Sequence, residues 1–336
     1  MISQTTWPMP PPVAAAVGVW SIPLPFPNPL TFAYAYAWEG PDGIVMIDAG
    51  WDSDACWQAL CNGLERAGRG LADIIGVVAT HVHPDHYGLA TRMRREAGAW
   101  VAIHPAEQRF LVHTQQQRDA AIREMEGWLR RGGAPREEMR RLDADASDLR
   151  RQLPTAEPDH DLLDGQVVPG TSGQLVALHT PGHTPGHLCF HDPVRDLLFT
   201  GDHLLPRITP NVSLRPRSDE NPLQDFLTSI DRLRDFDDVL VLPGHEWPFD
   251  QLSRRLDGVA AHHTERLDEM EQAVRAGAST AWQVMRRVMW SRPFDQLEGP
   301  AVRSAFGETQ SHLRYLADIE RLVFVAGSPD RWRAVG

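Results

Sequence analysis

Apolar positions early in the chain fall in short runs separated by turn formers. Residues 18–22 (Gly-Val-Trp-Ser-Ile), 31–38 (Thr-Phe-Ala-Tyr-Ala-Tyr-Ala-Trp) and 44–48 (Ile-Val-Met-Ile-Asp) read as strands. The turns between them are Pro27-Asn28-Pro29 and Gly40-Pro41-Asp42-Gly43, and the resulting meander predicts mostly antiparallel pairing. Residues 53–68 switch to helical spacing, with Trp57, Leu60 and Leu64 on one side. Further strands are predicted at 74–80, 100–103, 174–179, 188–191, 197–200 and 239–242, with a helix at about 222–234.

Two stretches break this rhythm. From 106 to about 153 the chain is polar and rich in Arg, Glu and Gln, which predicts two or three exposed helices. Long insertions in compact domains often serve as lids. As a cap over a site, this one would turn Phe110, Leu111, Trp128 and Leu129 inward. The bland arrangement lays the same face on the outside of the fold or on a second copy in a homo-oligomer; the sequence leaves both open. Beyond about 250, residues 251–276, 279–290 and 300–323 read as helices, followed by the apolar end Leu322-Val323-Phe324-Val325. The expected organisation is therefore a mixed domain over 1–250 and a helical module over 251–336.

Composition narrows the chemistry. Of 336 residues, 33 are basic and 45 acidic, for a formal net charge of −12. Every basic residue is Arg, so amine-based Schiff-base and P-loop chemistry are excluded. The acidic balance makes nucleic acid an unfavoured partner, and a small-molecule substrate is expected instead. No apolar stretch reaches the ~18 residues needed to span a bilayer, so no membrane partner is expected. Met1–Pro12 lacks a basic n-region, and Cys56, Cys61 and Cys189 form neither a disulfide framework nor a CxxC site. A reduced, cytoplasmic setting is the expectation.

The histidines carry the strongest signal. Thr80-His81-Val82-His83-Pro84-Asp85-His86 directly follows a predicted strand, placing three imidazoles and a carboxylate where they can converge. Imidazole nitrogen and carboxylate oxygen suit Zn²⁺, Fe or Mn²⁺. Pro181-Gly182-His183, Gly201-Asp202 and Pro243-Gly244-His245 repeat the arrangement, each a candidate ligand after a strand. Cys189, in alternating apolar sequence, reads as a core residue, and His262 and His263 read as a solvated helix face.

At these residues the sequence resembles the metallo-β-lactamase superfamily. His81, His83, Asp85 and His86 match its HxHxDH pattern, and His183, Asp202 and His245 match its later ligands in order. The resemblance covers about 15–250. It implies an α+β fold, a four-layer αββα sandwich with the helical insertion, followed by the helical module, for which a winged-helix-like form is one option. It also implies two divalent metal ions, zinc before Fe or Mn, with His81, His83 and His183 holding one. Asp85, His86 and His245 would hold the other, Asp202 would bridge them, and Asp48 would support the site. Hydrolysis would proceed through a hydroxide bridging the two metals, with the catalytic Asp85 orienting it and moving its proton.

The sequence departs from the zinc β-lactamases that use a Cys ligand, since Asp202 stands at that position. Leu89 replaces a second Gly and is expected to narrow the pocket. His187 and Arg207 are candidate supporting or substrate-side residues, with Arg215 beside them as a candidate partner of an anionic substrate. Asp202 points instead to the glyoxalase II, lactonase and ribonuclease-like branches, and with the acidic chain and the possible cap a thioester, lactone or other small ester is the expected substrate. The alternative is an endoribonuclease or phosphodiesterase of the β-lactamase-like protein 2 type, which the C-terminal module resembles.

Overall fold

The protein is described by a computed structural model covering residues 8–27, 30–111, 114–139, 156–216, 220–236 and 238–336. Two sheets face each other. The larger runs in chain order: β1 Val13–Ala16, β2 Val19–Pro25, β3 Phe32–Glu39, β4 Ile44–Ile47, β5 Ile74–Val78, β6 Trp100–Ile103 and β7 His160–Asp161. The opening meander β1–β4 is antiparallel as its turns predict, whereas β4 through β7 pair in parallel. Parallel neighbours need crossovers, which two helices supply: α1 Asp54–Arg66 between β4 and β5, and the helix at Ala90–Ala97 between β5 and β6. The smaller sheet has the order β11-β10-β9-β8, from β8 Val176–His179, β9 Leu188–Asp192, β10 Leu197–Gly201 and β11 Leu240–Pro243.

Aromatic and branched side chains fill the space between the sheets. Tyr36, Trp38, Val45 and Ile47 meet Leu188, Phe190, Phe199 and Leu242 in one fully buried cluster. Trp38 Nε1 donates across it to Asp192 Oδ2 at 2.8 Å, and the Tyr36 hydroxyl donates to Pro243 O at 2.7 Å. The outer face of the larger sheet is covered by Leu60 and Leu64 of α1 and by Met93. The outer face of the smaller sheet is covered by helices on both sides of residue 250. The four layers are those expected.

Further helices complete the description. In chain order from α1, α2 is Pro84–Tyr87, α3 Ala90–Ala97, α4 Pro105–Gln108, α5 Gln115–Arg131, α6 Pro222–Leu233, α7 Leu252–Arg275, α8 Ala281–Met285 and α9 Pro300–Asp318. Phe226 and Ile230 of α6, Leu256 of α7 and Phe306 and Leu313 of α9 share one core. The predicted helix at 279–290 is regular only over α8, and the one at 300–323 stops at Asp318. Glu320 then adopts φ +60, and Leu322–Val325 pairs with Arg331–Ala334 as an antiparallel hairpin (β12, β13). No helix among the described residues is long and apolar enough to cross a membrane.

Of the predicted insertion, residues 112, 113 and 140–153 lie outside the described residues. In the remainder, the four apolar side chains do not share one inward face. Trp128 packs edge-on against Phe306 of α9 at 4.6 Å between ring centroids, and Leu129 joins the same core. Leu111 lies in the core under the larger sheet, with Phe110 packed against it. The insertion thus leans on the C-terminal helices, an arrangement that its polar composition does not suggest.

Candidate metal centre

Each candidate ligand leaves the end of a strand on the same edge of the sandwich. β5 leads to His81, His83, Asp85 and His86, β8 to His183, β10 to Asp202 and β11 to His245. Gly182, Gly201 and Gly244 each precede a ligand where a Cβ would lie under 3.0 Å from Phe226, Thr80 or His86, so only glycine lets the loops approach this closely.

The donor atoms converge in three overlapping groups: His81/His83/His183, His81/His86/Asp202 and Asp85/His86/His245, each with its donor atoms within 4.8 Å of one another. His83 Nδ1 is 2.8 Å from His81 Nε2 and 3.0 Å from His183 Nε2. His245 Nε2 lies 3.2 Å from Asp85 Oδ2. Asp202 stands between the halves: its Oδ1 is 3.4 Å from both His86 Nε2 and His245 Nε2, and its Oδ2 is 3.8 Å from His183 Nε2.

Partners behind the rings orient them. His86 Nδ1 faces Asp48 Oδ2 at 2.8 Å, His183 Nδ1 faces the Asn211 carbonyl at 2.8 Å, and His245 Nδ1 faces the Phe32 carbonyl at 3.0 Å. All three partners accept only, so each ring keeps a proton on its outward nitrogen and leaves the inward nitrogen as the one that can meet a metal. For His81 the partner is the Thr80 hydroxyl, which donates to Asp48 Oδ2 at 3.0 Å and so accepts from His81 Nδ1, also at 3.0 Å. His83 departs from this pattern. Its outer Nε2 accepts from Arg215 Nη2 at 2.9 Å, which puts its proton on the inward Nδ1.

Charge divides the two halves. Burial, reinforced by neighbouring imidazoles, holds His81 and His83 neutral, and burial also lowers His183. For His245 burial opposes protonation, but Asp202 and Asp85 outweigh it and push its pKa up to about 10. His86 is raised in the same way against burial by Asp202, Asp85 and Asp48. Asp85 and Asp202 lie below the usual carboxylate range, since the adjacent imidazoles overcome the burial penalty. One observation tests whether a metal fits: His86 Nε2 and Asp202 Oδ1 are buried and have no hydrogen-bond partner among the described residues. A buried ring nitrogen beside an unsatisfied carboxylate oxygen is the donor set a divalent cation takes, the ring giving up its inward proton on binding.

The sequence profile of the metallo-beta-lactamase superfamily matches residues 29–245. The chain belongs to that superfamily. A metallo-beta-lactamase family protein from Thermus thermophilus superposes with TM-score 0.80 and 30% identity, over 96% of this chain and 100% of that one. A beta-lactamase domain protein from Burkholderia ambifaria gives TM-score 0.81 at 26% identity, over 96% and 94%. Among curated relatives, the probable metallo-hydrolase YqjP of Bacillus subtilis is 26% identical over 283 residues, 82% of this chain and 85% of that protein. The human acyl-coenzyme A thioesterase MBLAC2 is 30% identical over 172 residues, so this chain spans only 54% of its length.

The other sequence candidates lie around these residues. Asp48, buried at φ +63, accepts from Thr80 N at 2.7 Å as well as facing His86. His187 is fully buried with Nδ1 against Thr180 Oγ1 at 3.0 Å, which puts it behind His81 rather than on a substrate-facing rim. Arg207 pairs with Glu246 at 3.2 Å and covers the Trp247 ring. Leu89 does not narrow the pocket; it is fully buried in the core with Met93. His263 is not solvated either: α7 packs on α9, and His263 Nδ1 lies 3.1 Å from His312 Nε2. Cys189 is core, its thiol pushed up to about 12 by burial.

Sequence reasoning missed Glu107. Fully buried, it accepts from Val82 N at 3.0 Å and from Gly186 N at 2.8 Å, tying the His81–His86 loop to the loop of His183. It also missed Asn211, whose carbonyl orients His183. A Glu inside a polar helical stretch gives no local sign of this role.

Proposed function

We propose that the chain is a hydrolase of acyl thioesters, with lactones and other small esters as related substrates, working with two divalent metal ions, zinc foremost. The observation that carries this reading is Asp202, whose two oxygens face His86 and His245 on one side and His183 on the other. His81, His83 and His183 would hold one ion and Asp85, His86 and His245 the second. Bound there, the ions would supply a water of lowered pKa and a Lewis acid for the substrate carbonyl.

The residues of the chain do the rest. Asp85 is the carboxylate nearest His245, at 3.2 Å, and it takes the proton of the attacking water and returns it to the leaving group. A thiol has a pKa near ~8.5 and departs with little proton assistance, which suits a site with one such carboxylate. The named activity of MBLAC2 supports the thioester choice. The net charge of −12 disfavours a nucleic-acid polymer, whose binding depends on cationic contacts to phosphates.

A panel of acyl thioesters, lactones, aryl esters, β-lactams, phosphodiesters and RNA, assayed with metal-loaded protein, tests the reading. Thioesters should give the highest kcat/KM. Preference for RNA or a phosphodiester would instead establish the phosphodiesterase alternative.

A further inference from the structure

Residues 205–216 wall the three-histidine half of the site, with Asn211 at His183 and Arg215 at His83, and C-terminal helices hold them there. Arg255 of α7 donates to Leu205 O at 2.5 Å and to Ile208 O at 2.6 Å. Asn211 Nδ2 donates to Glu308 Oε2 at 3.1 Å and to Ser304 O at 3.2 Å, both on α9. Leu214 N donates to Gly307 O at 3.1 Å, and a Cβ on Gly307 would lie 2.6 Å from Ser213 Oγ. From this anchored loop the Asn211 carbonyl receives the His183 Nδ1 proton. The other half is oriented inside the sandwich, by Asp48 on His86 and the Phe32 carbonyl on His245.

We propose that Asn211 and Glu308 form a latch through which α9 positions His183, so that metal affinity in the three-histidine half is set from the C-terminal helices. α9 lies wholly outside the superfamily match at 29–245. Asn211 and Glu308 are positioning residues; neither is among the candidate ligands. Partners behind a ligating histidine typically alter metal affinity ~10–100-fold. The inference rests on the metal-binding part of the function proposed above and is independent of the substrate.

The test is a two-step zinc titration of full-length protein by calorimetry with chelator competition, the steps assigned with His183→Ala and His245→Ala. Glu308→Ala and Asn211→Ala should each weaken the three-histidine step at least tenfold and the other step less than threefold. Glu308→Gln keeps an oxygen acceptor for Asn211 and should restore affinity to near wild type. Should Glu308→Ala fold poorly, Gly307→Ala, which pushes Ser213 off α9, is judged by the same criterion. Equal weakening of both steps, or affinities within twofold of wild type, would overturn the latch. Absence of zinc binding by the wild type would instead sink the metal reading.

Discussion

Asp48 Oδ2 and His86 Nδ1 are 2.8 Å apart and both enclosed, so the carboxylate holds a proton on Nδ1 and turns Nε2 toward the other candidate ligands. Asp48→Asn should weaken zinc binding in the Asp85/His86/His245 half by ~10–100-fold, because an amide has one oxygen and cannot accept from Thr80 N, now on Oδ1, and from His86 Nδ1, now on Oδ2, together. The zinc titration described above reads this directly. An unchanged second step would show that Asp48 does not set the ring.

Asp85→Asn should keep most of the bound metal and lose kcat by roughly a hundredfold or more, the usual range for removing an acid–base group. KM should move little, since the lost interaction belongs to the transition state. A variant retaining over about a tenth of wild-type kcat would remove Asp85 from the proton path.

Glu107→Gln replaces one of two buried acceptors by a donor facing a backbone N–H. Leaving that N–H unsatisfied costs ~1–3 kcal/mol. Urea denaturation should show that loss, and amide exchange should quicken at Val82 and Gly186. Stability within about 0.5 kcal/mol of wild type would mean that the two loops hold without the tie.

Removing the cation beside His83 should have the opposite sign from breaking the latch. Arg215→Gln takes away a positive charge, and with it the hydrogen bond that keeps the His83 proton on its inward nitrogen. Zinc affinity in the three-histidine half should rise on the order of fivefold, equivalent to ~1 kcal/mol. Weaker binding in the titration would show that Arg215 supports the ring rather than opposing the metal.

His203 and His312 are fully buried, and burial lowers the pKa of each to about 3. Unfolded, each titrates near ~6.5, so between these values the unfolded chain binds more protons. Their contribution is fully present above pH ~6.5 and is lost as pH falls, at ~1.4 kcal/mol per pH unit for each. His86 and His245, whose pKa values are raised, are protonated in both states over this window and add no slope there. Metal-free protein should therefore lose stability steadily from pH ~6.5 to ~4, and His312→Gln should remove about half of the slope these two rings contribute. A flat profile would place water or a counter-charge beside these rings.

The seven candidate ligands were legible because they follow strand ends, in a loop stiffened by Pro84 or directly after Gly182, Gly201 and Gly244. The layers were legible because strand and helix periods differ. What escaped the sequence is non-local. Glu107 meets partners 25 and 79 positions away, and Asn211 meets Glu308 97 positions away, so neither leaves a local pattern. His263 looked solvated because α7 is polar around much of its circumference, and only the packing of α9 covers that face. The final hairpin did leave a signal, the alternation Arg331-Trp332-Arg333-Ala334, which puts Trp332 against Phe324.

Trp128 of α5, Phe306 of α9 and Phe226 of α6 lie in one apolar core, which limits how this scaffold can be recombined. A chimera joining the ligand-bearing half to a foreign C-terminal segment would expose that core and release the loop that faces His183. Exchange between relatives is then workable when α9 travels with the ligands it does not itself supply. A splice after His245 would carry every candidate ligand and still lose the register of one of them.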